Sequence, residues 1–249
     1  MHSLKKCVIC AIFIASTLVA STHKWGYTGH DGPEHWGELD SEFKECAIGK
    51  QQSPINITHE IEVHEGELDP IEFHYDSETT HVINNGHTVQ VNMADGSYMI
   101  IDDKKFFLKQ FHFHSPSENE IEGVEFPLEA HLVHVANDGA LAVVAILFEE
   151  GKPNLVLEHV WAHMNEEIDS KVDFHIPAKE ITDFLLPHNR SYFRFMGSLT
   201  TPPCTEGVRW FVFKEYDTVS KEQVQEFLKV LHHTNNRPIQ RVGDRKVFY

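Results

Sequence analysis

The chain has 249 residues, 41% of them hydrophobic, which is enough for one large core near the size at which chains begin to divide. Its 38 acidic residues against 21 basic ones give a formal net charge of −17, a surface that argues against nucleic acid or an anionic membrane as partner. No run of 18 or more apolar residues lies in the body of the chain, so no transmembrane span is expected there.

The first element in chain order reads as an export signal. Lys5 and Lys6 precede an apolar run over residues 8–20 that ends in the small residues Ala20 and Ser21. This pattern predicts a signal peptide over 1–22, cleaved near 20–22, and a mature domain over 23–249 in the periplasm or secreted beyond it. The alternative is a buried N-terminal helix. Cleavage would remove Cys7 and Cys10 and leave Cys46 and Cys204. An even pair in an exported chain suggests a disulfide, and two free thiols are the other reading. The bridge would close a loop of about 158 residues, worth roughly 5 kcal/mol in the chain-entropy treatment.

No repeat, low-complexity tract or linker interrupts the rest, so one domain is expected. Residues 71–75, 80–83, 88–93, 97–101, 106–114, 128–136, 141–148 and 208–213 are short, rich in Val, Ile, Phe and His, and read as strands. The turn dipeptides Asn85-Gly86, Asp95-Gly96 and Asp138-Gly139 separate several of them. Residues 141–148 are apolar throughout, as in a strand buried on both faces. Helical spacing recurs at Leu157, Val160, Trp161 and Met164, and at Val224, Phe227, Leu228 and Leu231 after a capping box from Ser220 to Gln223. The fold class is therefore mostly β, a single domain with a few surface helices. Barrel, sandwich and large open sheet all fit this pattern.

With 19 histidines, the spacing His112-Phe113-His114 is weak evidence alone. On a strand, however, residues two apart share a face, so His112, His114 and Gln110 would point one way and Phe111 and Phe113 the other. In the next long strand Glu129, His131 and Val133 share a face. Three neutral imidazoles suit a zinc ion with an open fourth position, and Gln110 and Glu129 have the chemistry to orient them. Ordinary strand histidines are the competing reading. Residues 197–204 are more distinctive: Pro202 and Pro203 suggest a rigid, extended course that presents the hydroxyls before them.

Several motifs occur together in order: Trp25-Gly26-Tyr27, Gly32-Pro33-Glu34-His35-Trp36, Gln52-Ser53-Pro54-Ile55, Asn84-Asn85-Gly86-His87, Phe111-His112-Phe113-His114, Glu129-Ala130-His131-Leu132-Val133-His134 and Ser198-Leu199-Thr200-Thr201-Pro202-Pro203. In this set the chain resembles the α-class carbonic anhydrases, most of all their bacterial periplasmic members. The resemblance implies a large, twisted, mainly antiparallel central sheet of about ten strands. It implies zinc-dependent reversible hydration of carbon dioxide to bicarbonate and a proton by a zinc-bound hydroxide. By similarity His112, His114 and His131 bind Zn2+, with Gln110 and Glu129 behind them. Thr200 and Glu118 orient the hydroxide. Val133, Val143, Leu199, Thr201 and Trp210 line the CO2 pocket. His87 passes the proton to buffer, through waters ordered by Tyr27, Asn85 and Gln90. Cys46 and Cys204 match a disulfide of exported members. Gln90 and Ser115-Pro116 depart from the animal pattern without touching the ligands. The implied partner is the small-molecule substrate, with the chain a monomer or a homodimer. A recognition module, a zinc-buffering surface and a zinc hydrolase are rival readings. The intact ligand set with Glu118 and Thr200 argues against the first, and the lack of a separate nucleophile–base pair against the last.

Overall fold

The structure, a computed structural model, describes residues 24–63 and 68–249. The signal peptide expected over 1–22 lies outside the described residues. The strands are β1 (Asn56–Ile57), β2 (Glu62–Val63), β3 (Glu72–His74), β4 (Thr79–Asn84), β5 (Val89–Met93), β6 (Tyr98–Ile101), β7 (Lys104–His114), β8 (Glu120–Ile121), β9 (Leu128–Ala136), β10 (Leu141–Glu150), β11 (Lys171–Asp173), β12 (Tyr192–Ser198), β13 (Glu206–Phe213), β14 (Asp217–Val219) and β15 (Val247–Phe248). The α-helices are α1 (Trp36–Leu39), α2 (Glu45–Ile48), α3 (Leu155–Trp161), α4 (Ala178–Phe184) and α5 (Lys221–Leu231).

Among the described residues, thirteen strands join one mixed sheet. A continuous path runs β11-β4-β5-β7-β9-β10-β13-β12-β15-β2, and β3, β6 and β14 attach beside it. This is the open-sheet answer among the three that the pattern allowed. The pairings from β11 through β10 are antiparallel, whereas β10 meets both β13 and β14 in parallel. The turn glycines do what their dipeptides suggest: Gly86 and Gly139 take positive φ at the β4–β5 and β9–β10 turns.

The centre of the sheet separates two apolar clusters. On one face Phe111, Phe113, Leu132 and Val144 pack under the helices. The Phe113 ring lies 4.9 Å from Trp161 of α3 and 6.4 Å from Phe227 of α5. The Asn154 side chain caps α3 by accepting from Val156 N and Leu157 N. Ser220 and Gln223 form the expected capping box of α5. Met164, expected on α3, lies just beyond its end. On the other face Val143, Ala145, Leu147, Phe195 and Trp210 form the second cluster. β10 feeds both, so every residue from Ala142 to Phe148 is buried.

Candidate metal centre

β7 and β9 are antiparallel neighbours whose register sets His112 directly opposite His131. His114 is two residues further along β7 and so shares the face of His112. The imidazole centroids of His112, His114 and His131 stand 4.6–5.3 Å apart. One nitrogen from each lies within 4.8 Å of the others.

The remaining nitrogens are committed elsewhere. His112 Nδ1–H donates to Gln110 Oε1 (2.8 Å), His114 Nδ1–H to the Asn235 carbonyl (2.8 Å), and His131 Nε2–H to Glu129 Oε1 (2.8 Å). Each acceptor fixes a tautomer and frees His112 Nε2, His114 Nε2 and His131 Nδ1 for the centre. His114 Nε2 is buried with no hydrogen-bond partner among the described residues. Burial, first of all, holds all three imidazoles below their ordinary pKa, and for His112 and His131 the neighbouring imidazoles add to it. The rings are therefore neutral at pH 7 and offer three converging lone pairs. That donor set fits a tetrahedral divalent cation with one open position.

A buried carboxylate layer backs the imidazoles. Glu129 Oε2 accepts from Glu118 N (2.7 Å) and Asn119 N (2.8 Å), and Oε1 accepts from Asn119 Nδ2 (2.7 Å). Burial pushes the Glu129 carboxyl up, and the Asn119 bonds oppose it. Glu118 lies 3.5 Å from His114 Nδ1 and 3.9 Å from His131 Nδ1, and its Oε1 accepts from Arg237 N (2.8 Å). Burial raises Glu118 well above the usual carboxylate range; the Arg237 N–H and then the Thr200 side chain pull it back. Thr200 is buried just beyond β12. The loop it opens turns rather than running extended as the prolines suggested: Cys204 N–H donates to the Thr201 carbonyl (2.9 Å). The Cys46–Cys204 disulfide closes its far end. Gly197 is required just before it, because a Cβ there would meet Ser53 Oγ at 2.1 Å and Trp210 at 2.8 Å.

Beside the imidazoles the register places Val133 against Val143, and Val143 against Trp210. With Leu199 they belong to one apolar cluster. The Trp210 ring packs edge-on against His131 at 4.9 Å. Gln90 pairs across the sheet with His112, and its Nε2 donates to Asn92 Oδ1. Asn85 spends its Oδ1 on His87 N and Thr88 N. The Tyr27 hydroxyl is buried without a hydrogen-bond partner among the described residues, and burial, then Glu118, raises its pKa well above the usual phenol value. His87 stacks on Trp25 with centroids 3.6 Å apart. Burial, then His233, pushes His87 down to about 4, well below the ordinary imidazole value. Three residues at the heart of this arrangement, Asn119, Asn235 and Arg237, carry no sequence signal; only the folded contacts reveal them.

A large mixed sheet presenting three neutral, converging imidazoles defines a β-protein with a site able to hold a metal. The family model for eukaryotic-type carbonic anhydrases matches residues 31–249. The carbonic anhydrase of Pectobacterium carotovorum is 43% identical over 242 residues, 97% of each chain. That of Neisseria gonorrhoeae is 45% identical over 96% of this chain and 92% of its own. Among solved structures, an α-carbonic anhydrase from Thermovibrio ammonificans, in complex with sulfanilamide, is 47% identical with a TM-score of 0.86, covering 92% of this chain and all of the other. Dioscorin complexed with ascorbate shares the fold at 32% identity and a TM-score of 0.84, covering 90% of this chain and 97% of its own. The chain belongs to the eukaryotic-type, or alpha, carbonic anhydrase family. It is a carbonic anhydrase, an enzyme of a family whose members are generally metalloenzymes.

Proposed function

We propose that the protein is an exported zinc enzyme that reversibly hydrates carbon dioxide to bicarbonate and a proton, with His112, His114 and His131 holding Zn2+. The observation that carries this reading is the set of three free imidazole nitrogens, each fixed by a partner on the opposite ring nitrogen. When bound there, the cation supplies Lewis acidity, which acidifies water and provides a nucleophile near neutral pH; carbonic anhydrase is the standard example of this effect.

The chain's own residues do the rest. Gln110, Glu129 and the Asn235 carbonyl lock the ring angles. Glu118 must be ionised to accept from the Thr200 hydroxyl; the Arg237 N–H and the Thr200 hydroxyl oppose its burial, and the charge of a bound cation would add to them. That bond leaves the Thr200 oxygen as an acceptor that orients the attacking group. Val133, Val143, Leu199 and Trp210 offer a dry wall to a substrate without charge, beside Thr201. His87, neutral at pH 7, accepts the released proton at its ring nitrogen, and Tyr27, Asn85 and Gln90 order the path to it. Residues 1–22 direct export and are removed, and residues 23–249 form the enzyme; the Cys46–Cys204 disulfide supports an oxidising destination.

Stopped-flow measurement of CO2 hydration, alongside metal analysis, tests the reading. The protein should carry one zinc per chain, lose activity on dialysis against a chelator, and regain it on adding Zn2+. Activity that survives complete metal removal would sink it.

A further inference from the structure

The segment after α5 joins two parts of the site through one side chain. Asn235 is fully buried. Its carbonyl accepts from His114 Nδ1 (2.8 Å), and its Oδ1 accepts from Ser115 N (2.9 Å). These bonds seize the end of β7 where His114 stands. Its Nδ2 donates to the Phe113 carbonyl (2.9 Å) and to the His87 carbonyl (3.0 Å). A carboxamide has two N–H bonds to give, and both are spent here. His87 N–H donates to Asn85 Oδ1 (3.0 Å), so the His87 backbone is held at both its N–H and its C=O. The ring itself is stacked on Trp25.

We propose that Asn235 is a positioning residue for proton removal: its carboxamide fixes the backbone of His87 against the strand end that carries His114. The proposal rests on the reading of His87 as proton acceptor and of the three histidines as metal ligands. Its chemistry is specific to a carboxamide. Aspartate keeps the acceptor for Ser115 but loses both donors; leucine fills the volume but loses all three side-chain bonds. The contact with His114 is made by main chain, so a side-chain change leaves that ligand's partner in place. The turn carrying His87 loses the bond to its C=O, while the end of β7 loses those at Phe113 and Ser115 but keeps the Thr88 Oγ1–H bond to the Phe113 carbonyl (2.6 Å) and the main-chain bond at His114. A displacement of about 1 Å is enough to cost a large factor in a positioned transfer.

Carbon dioxide capture and proton removal are separate steps, so a loosened proton acceptor lowers kcat and spares kcat/KM. The test compares wild type, Asn235→Ala, His87→Ala and the double variant, all zinc-loaded. Asn235→Ala should keep one zinc per chain and its kcat/KM to within about twofold, while kcat falls on the order of tenfold. Added imidazole should restore kcat in Asn235→Ala and in His87→Ala alike. The double variant should be no slower than His87→Ala alone, because both changes remove one function. An activity-independent readout uses the metal-free protein: amide exchange over residues 84–88 should speed about tenfold, while residues 128–136 keep their protection. Should Asn235→Ala fail to fold, Asn235→Ser carries the same comparison with a smaller cut. Losses of kcat that add to those of His87→Ala, or kcat and kcat/KM falling together with zinc, overturn the proposal. Full activity in Asn235→Ala beside a defective His87→Ala overturns it alone. A fully active His87→Ala overturns the proton step of the proposed function and this proposal with it.

Discussion

β9 carries two buried histidines three residues apart, and they do different things. An odd spacing on a strand sends His131 and His134 to opposite faces of the sheet. Both are almost wholly shielded, at 2% and 0% exposure, and burial holds both below the ordinary imidazole value. His131 gives its N–H to a carboxylate and turns its free nitrogen toward two other imidazoles. His134 lies on the helix-covered side, its Nε2 2.7 Å from the Tyr75 hydroxyl. Burial and a depressed pKa therefore do not make a ligand. Convergence does, and it comes from register: His112 is placed across from His131, while Leu108, an apolar residue, is placed across from His134.

Removing the nitrogen at the converging face should have the largest effect. His131→Ala should cut bound zinc from one per chain to well under a tenth after dialysis, with CO2 hydration near the uncatalysed rate, since two imidazoles no longer complete a site. Retention of stoichiometric zinc, measured by atomic emission, would show that the cation sits elsewhere. A milder cut keeps all three imidazoles and weakens only the partner that fixes His131. Glu129→Gln removes the charge that receives His131 Nε2–H and the acceptor strength that holds Glu118 N and Asn119 N. Zinc affinity should fall about 10–100-fold, read by competition with a chelating dye. An unchanged affinity would mean that Glu129 only fills space.

The same contrast shows how much could be read from residues alone. Alternation on two strands gave the outward pair His112 and His114, the inward pair Phe111 and Phe113, and the partners Gln110 and Glu129, because a strand has a period of two and the partners lie two residues before their histidines. Which strands are neighbours is a long-range property; the resemblance implied only that the three histidines share one metal, and the β7–β9 pairing comes from the fold. β12 escaped notice: Arg194 and Gly197 interrupt its apolar run, yet it packs between β13 and β15. Of the three strands beside the ten-strand path, β3 and β6 were legible as residues 71–75 and 97–101, whereas β14, only three residues long, looks like loop. Asn119, Asn235 and Arg237 were illegible because their work is done by backbone atoms and by carboxamide bonds across gaps of 10 to 185 residues. The Asp102-Asp103 turn hides for a related reason, since both residues take positive φ without a glycine to mark them.

The smallest effect at neutral pH belongs to His134, and it grows in acid. Burial pushes this imidazole down to about 3, against an ordinary 6.5. A group depressed in the folded state takes up its proton first in the unfolded chain. Its stabilising contribution is therefore complete above about pH 6.5 and is lost as pH falls toward 3, to a total on the order of 5 kcal/mol. Replacing both members of the pair by apolar groups, as Tyr75→Phe with His134→Leu, removes the titration and both ends of the Tyr75–His134 hydrogen bond together, a change near neutral at pH 8. Acid unfolding of the metal-free wild type and double variant, followed by far-UV circular dichroism, should place the variant's midpoint at lower pH. Zinc uptake at pH 8 should stay at one per chain in both. Parallel stability curves from pH 7 to 4 would mean that His134 protonates without cost in the folded protein, and that the core histidine of β9 is less confined than its neighbour at the site.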